Sequence, residues 1–125
     1  MNKNVASALD VARAYINAIA NKDVPAILAL SAQDVTCTSP LGRIRGLESF
    51  RGFQEGFARM LTNVSVLALH GDDEQAVVVY DVETHPVPHA LVAELLQVCN
   101  GKLTSTEVIY DGTPFAAYAA TTQPH

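Results

Sequence analysis

Between two runs of strand-forming residues, Ala90 to Cys99 and Lys102 to Tyr110, stands the dipeptide Asn100-Gly101. Asn and Gly tolerate positive φ more readily than other residues, and a two-residue turn of that kind joins antiparallel strands in a defined register. It is the strongest short hairpin signal in the chain. A second hairpin is expected where Val64 to His70 and Gln75 to Thr84 flank Gly71-Asp72-Asp73-Glu74. His85-Pro86-Val87-Pro88-His89 separates the two hairpins, because neither proline can donate to a ladder. A further short strand is read from Asp34 to Ser39.

The other segments have helical periodicity. Ser7 with Asp10 resembles a capping box, and Ala8, Ala12, Tyr15, Ile16 and Ile19 follow at helical spacing, which predicts a helix over 7–21. Asp23 caps a second, shorter helix with Pro25 in its first turn, where a missing N–H costs nothing. A third helix is predicted from Leu47 to Leu61, with Phe50, Phe53, Phe57 and Leu61 on one stripe. Gly52 and Gly56 weaken it, which suggests close approach of another element. Helices packed on an antiparallel sheet make an α+β domain, with residues 1–125 as one unit. The tail from about residue 116 to 125 is expected to fray.

Composition removes several classes of function. Eight Lys and Arg against 13 Asp and Glu give a net charge of −5, so no basic face is available for nucleic acid or for an anionic membrane surface. Cys37 and Cys99 are too few for a disulfide framework and are read as reduced thiols. Asp10 and Arg13 interrupt the N-terminal segment, and no run reaches the roughly 18 apolar residues of a membrane span. A soluble, cytoplasmic protein is the expectation.

Glu94 is the informative position for chemistry. Its strand face reads Ala90, Val92, Glu94, Leu96, Val98, and a carboxyl among apolar neighbours is desolvated, which raises its pKa. The opposite face, Leu91, Ala93, Leu95, Gln97 and Cys99, is nearly as apolar, so the orientation of the strand stays open. Tyr15 lies on the apolar stripe of the first helix, where its hydroxyl needs a partner. Ser39 shares a strand face with Val35 and Cys37 and has no visible activating base. His85 and His89 are four apart, but Pro86 and Pro88 exclude the helix that metal ligation at this spacing uses, so no metal site is expected. There is no Gly-rich phosphate loop and no serine elbow, and no cofactor is expected.

Several strings together resemble the nuclear transport factor 2-like superfamily, in its SnoaL-like and ketosteroid isomerase branches. They are Ala14-Tyr15-Ile16, Asn21-Lys22-Asp23, Ala29 to Thr36, Ser39-Pro40-Leu41-Gly42, Gly46 to Phe50, Asn100-Gly101-Lys102 and Tyr110 to Phe115. The resemblance implies a conical, cystatin-like fold: three helices packed on a curved antiparallel sheet around an apolar pocket. Members are often homodimers through the sheet. It also implies that Tyr15 matches the oxyanion-hole tyrosine of ketosteroid isomerases and Glu94 the protonated oxyanion-hole aspartate. Ser39 stands where that family has its proton-shuttling aspartate. The pocket is then expected to be lined by Tyr15, Val35, Cys37, Ser39, Phe53, Phe57, Tyr80, Val92, Glu94 and Leu96. The function implied is cofactor-independent acid–base chemistry of the isomerase, cyclase or dehydratase type. It would act on a small apolar carbonyl compound through an enolate-like intermediate, with the base replaced or supplied elsewhere. The alternative is a non-catalytic ligand-binding or accessory domain that keeps the pocket. The Asp–Arg–Asp arrangement of limonene epoxide hydrolases has no counterpart in Val79 to Glu83.

Overall fold

Helix α1, Ala8–Ala20, starts where Ser7 places its Oγ to accept from the Asp10 amide at 3.1 Å. One stripe of it, including Val11, Tyr15, Ile16 and Ile19, is buried. A computed structural model describes residues 5–116, so the tail expected to fray lies, from residue 117, outside the described residues. Asp23 caps α2, Val24–Ala29, by accepting from the Ala26 amide at 3.2 Å. Strand β1, Ser31–Ser39, starts three residues before the predicted point and turns at Gly42 (φ 124°) into a short strand not foreseen from the sequence, β2, Gly42–Arg45. Helix α3, Leu47–Met60, follows, then β3, Leu61–Gly71, β4, Gln75–Thr84, β5, Ala90–Cys99, and β6, Lys102–Ile109.

Asn100 (φ 52°) and Gly101 (φ 75°) both occupy the left-handed region, which is the turn their pairing predicts. The six strands form one sheet in the order β2-β1-β6-β5-β4-β3. Four of the pairings are antiparallel, and β1 lies parallel to β6. The expected antiparallel sheet is therefore mixed at one seam. A parallel pair needs a long crossover, and here α3 and four strands supply it. The Leu103 amide donates to Leu30 O at 2.8 Å, fastening the start of β6 to the end of α2.

Period-two alternation decides which side chains meet the helices. Ala76, Val78, Tyr80 and Val82 of β4 and Val92, Glu94, Leu96 and Val98 of β5 face inward and are buried. Leu91 and Ile109 face outward and are 61% and 57% exposed. The register of β5 against β6 shifts between Gln97 and Val98, leaving Thr104 as the extra residue, with its Oγ1 donating to Gln97 O at 3.1 Å. That bulge has a consequence for the interior. Leu103 and Thr106 are an odd number of positions apart, yet both are buried.

Candidate functional site

The inward sheet face, α3 and the segment after β6 enclose a cavity of about 700 Å³. Phe53, Phe57 and Met60 line it from α3, Tyr80 and Val82 from β4, Val92 and Glu94 from β5, and Val108 from β6. Leu41, Arg59, Tyr110 and Phe115 also border it, and the rings of Tyr110 and Phe115 meet edge-on at 5.5 Å. Gly52 and Gly56 lie on the wall too. A Cβ added at Gly52 would have nothing within 4 Å and one at Gly56 would meet only Arg59 Nη2 at 3.9 Å, so these glycines leave room for the cavity and do not admit a packed neighbour.

The polar part of the wall centres on Glu94, which is 2% exposed. Tyr15 Oη and Thr106 Oγ1 each donate to Glu94 Oε1 at 2.7 Å. Tyr80 Oη donates to Glu94 Oε2. Behind Tyr15, Gln54 Nε2 donates to its hydroxyl oxygen at 3.1 Å. Burial pushes the Glu94 carboxyl above its ordinary range, and the three hydroxyl donors pull against that rise. Burial and the adjacent Glu94 hold the Tyr15 and Tyr80 phenols well above the ordinary tyrosine value. Burial, then Glu94, pushes the Cys37 thiol up to about 12.

The two carboxyl oxygens are not equivalent. Oε1 already accepts from Tyr15 and Thr106, so a proton on Glu94 belongs on Oε2. Tyr80 then accepts from Glu94, and its own hydrogen is free to turn into the cavity. One carboxyl thus exchanges roles with one phenol on the cavity wall.

Of the residues expected at the site, Phe53, Phe57, Tyr80, Val92 and Glu94 line the cavity. Tyr15 stands behind Glu94, fully buried, with its single hydrogen committed to that carboxyl; it is not on the wall. Val35, Cys37 and Leu96 belong to the packed core and not to the wall. Ser39 ends β1, off the cavity, and its Oγ accepts from the Leu41 amide at 3.1 Å. Asp81 projects from β4 opposite to Tyr80 and pairs with His89 at 2.9 Å, while His85 is exposed on the connection. Among the described residues, no three His, Cys, Asp or Glu side chains converge as a metal site requires.

Two important residues were missed from the sequence. Gln54 follows Phe50 by four and precedes Phe57 by three, so its place on the buried stripe was readable from helical spacing. Thr106 was not readable, because only the bulge turns it inward.

Residues 12–118 match the profile of the SnoaL-like domain family. No curated protein matches the chain. A solved structure from Kribbella flavida DSM 17836 is 41% identical over 92% of this chain and 95% of its own, with a TM-score of 0.87. Another from the same organism, provisionally assigned as a ketosteroid isomerase, is 20% identical over 81% of this chain and 75% of its own, with a TM-score of 0.71. A Silicibacter pomeroyi DSS-3 protein with a cystatin-like fold is 16% identical over 89% of this chain and 84% of its own, with a TM-score of 0.76. The last two show likeness of fold alone.

Proposed function

Because this chain belongs to the SnoaL-like domain family, we propose that it binds a small apolar carbonyl compound in its cavity and moves a proton on it through an enolate-like intermediate. The observation that carries this reading is a nearly fully buried carboxyl, ringed by hydroxyl donors, on the wall of an otherwise largely apolar cavity. Glu94 Oε2 takes the proton from the carbon next to the carbonyl. The C–H electron pair moves into the new C=C bond and the carbonyl electrons move to oxygen. With Oε2 protonated, Tyr80 no longer donates to it and turns its O–H to the enolate oxygen. Return of the proton to another carbon completes an isomerisation, and loss of a leaving group instead completes a dehydration.

A carboxyl raised toward neutrality is the better base and acid for such a shuttle. Tyr15 and Thr106 hold Oε1 and so aim Oε2 at the substrate, a positioning role. Ser39 takes no part in this scheme. The test is exchange of the α-hydrogens of 2-tetralone and related cyclic ketones for deuterium, followed by NMR in D₂O. Wild type exchanges them well above buffer. Glu94→Gln abolishes the gain, and Tyr80→Phe lowers it by roughly 10²–10³.

One observation favours the second reading, a non-catalytic binding domain: every hydroxyl around Glu94 already has a partner, as in a purely structural network. Binding of the ketones without exchange supports that reading and defeats the first. We also take the chain as one domain that pairs with a second copy through the outer sheet face, where Val77, Leu91 and Ile109 are exposed. No helix among the described residues is long and apolar enough to cross a membrane.

A further inference from the structure

Gln54 is 2% exposed, borders the cavity, and makes one side-chain hydrogen bond, from Nε2 to Tyr15 Oη at 3.1 Å. The direction of that bond fixes the amide. Tyr15 has a single hydrogen, and Glu94 Oε1 receives it whether or not Oε2 is protonated. Toward Gln54, Tyr15 can therefore only accept, so the amide presents nitrogen there and Oε1 points away.

Among the described residues, Gln54 Oε1 accepts from no protein donor. No side-chain nitrogen or oxygen in the described structure is both fully enclosed and without a partner. Gln54 Oε1 must then touch open space, and at 2% exposure that space is a void the residue lines. Two voids qualify. The smaller, beside Ile19, Lys22 and Ile27, is about 10 Å³ with an almost wholly apolar wall, too small for more than one water. The larger is the cavity that holds Glu94 and Tyr80.

The geometry points to Gln54 as a specificity-determining residue whose carbonyl oxygen accepts from a hydroxyl on the ligand, so that the ligand is a hydroxylated carbonyl compound, an enol or a phenol, and not a simple ketone. The inference rests on the cavity binding small apolar molecules, as proposed above. Its chemical basis is complementarity. Tyr80 supplies a donor to a ligand oxygen when Glu94 is protonated, whereas Gln54 supplies an acceptor close by, two hydrogen bonds removed from Glu94 through Tyr15. A ligand with no donor strips water from Gln54 Oε1 and leaves it unpaired, which selects against it by about tenfold or more.

The experiment measures calorimetric binding of 2-naphthol, 2-methoxynaphthalene, 2-acetylnaphthalene and naphthalene to wild type, Gln54→Leu and Gln54→Met. The expected result is that wild type binds 2-naphthol at least about tenfold more tightly than the three donor-free probes. In both variants that preference collapses to within about twofold, while the donor-free probes bind as before or better. A ratio of selectivities does not move when a substitution merely loosens the fold. Equal binding of all four probes by wild type overturns the inference and leaves the cavity reading standing. A preference retained in both variants overturns the assignment to Gln54. Failure of every probe to bind overturns the cavity reading and this inference with it.

Discussion

Tyr15 and Glu94 lie 79 positions apart in the chain, and the phenol of one donates to the carboxyl of the other at 2.7 Å with both side chains buried. Tyr15→Phe removes that donor and leaves the Gln54 amide facing a ring edge. The expected loss is about 1–3 kcal/mol of folding stability, read from urea denaturation. The same substitution raises the Glu94 pKa further, because the Tyr15 hydrogen bond is one of the contributions that lower it. Carboxyl titration by isotope-edited infrared or NMR spectroscopy checks the direction.

The pH dependence of stability has a defined sign. Folding lifts the Glu94 pKa above the ordinary value of 4.5, so the folded state keeps a proton that the unfolded state has lost. Stability contributed by this group is complete below the unfolded value and falls as pH rises through the folded one. Glu94→Gln removes that slope. Asp72 and Asp111 act in the opposite sense at the acid end, since hydrogen bonds from nearby backbone amides lower both. The difference between wild type and Glu94→Gln, measured by urea denaturation across the pH range, isolates Glu94. A constant difference from the acid end to pH 9 (about the upper limit for such work) contradicts the prediction.

Two glycines separate conformational cost from steric need. Gly52→Ala meets nothing within 4 Å and improves helix propensity in α3, so it stabilises the fold by about 0.5–1 kcal/mol. Gly71→Ala places a Cβ 2.7 Å from Ala76 Cβ and 2.9 Å from Gln75 O, and destabilises by about 1–3 kcal/mol. Urea midpoints of the two variants should move in opposite directions.

Leu91 and Ile109 project from the outer sheet face at 61% and 57% exposure. Leu91→Lys together with Ile109→Lys should convert the proposed dimer to monomer, seen by sedimentation, with the far-ultraviolet spectrum unchanged. A wild-type chain that sediments as a monomer across micromolar concentrations removes the dimer proposal.

Much of the fold was legible because its signals are local. Ser7 and Asp23 announce helix starts by side-chain capping, and Asn100-Gly101 announces a turn by its tolerance of positive φ. Strand β4 has the predicted bounds, and α1 and α3 fall within a residue of theirs. Strand β2 escaped notice because four residues, Gly42–Arg45, carry too short a pattern to register. The site was half legible. Glu94 stood out as a carboxyl among apolar neighbours, whereas Val35, Cys37 and Leu96 share the composition of a pocket wall and pack in the core instead.

What the sequence determined by itself was most of the elements, their turns, and the presence of Tyr15 and Glu94 among apolar neighbours. Which face of β5 turns inward was decided only in three dimensions, because both faces are nearly equally apolar and burial depends on the layer that covers them. The parallel seam between β1 and β6 has the same origin: it joins segments whose pairing no local pattern encodes. The bulge at Thr104 then turns Thr106 toward Glu94, and α3 brings Gln54 to Tyr15. Propensity and capping act over a few residues, but a buried hydrogen-bond network is made from side chains distant in sequence, and it exists only once packing has excluded water from all of them.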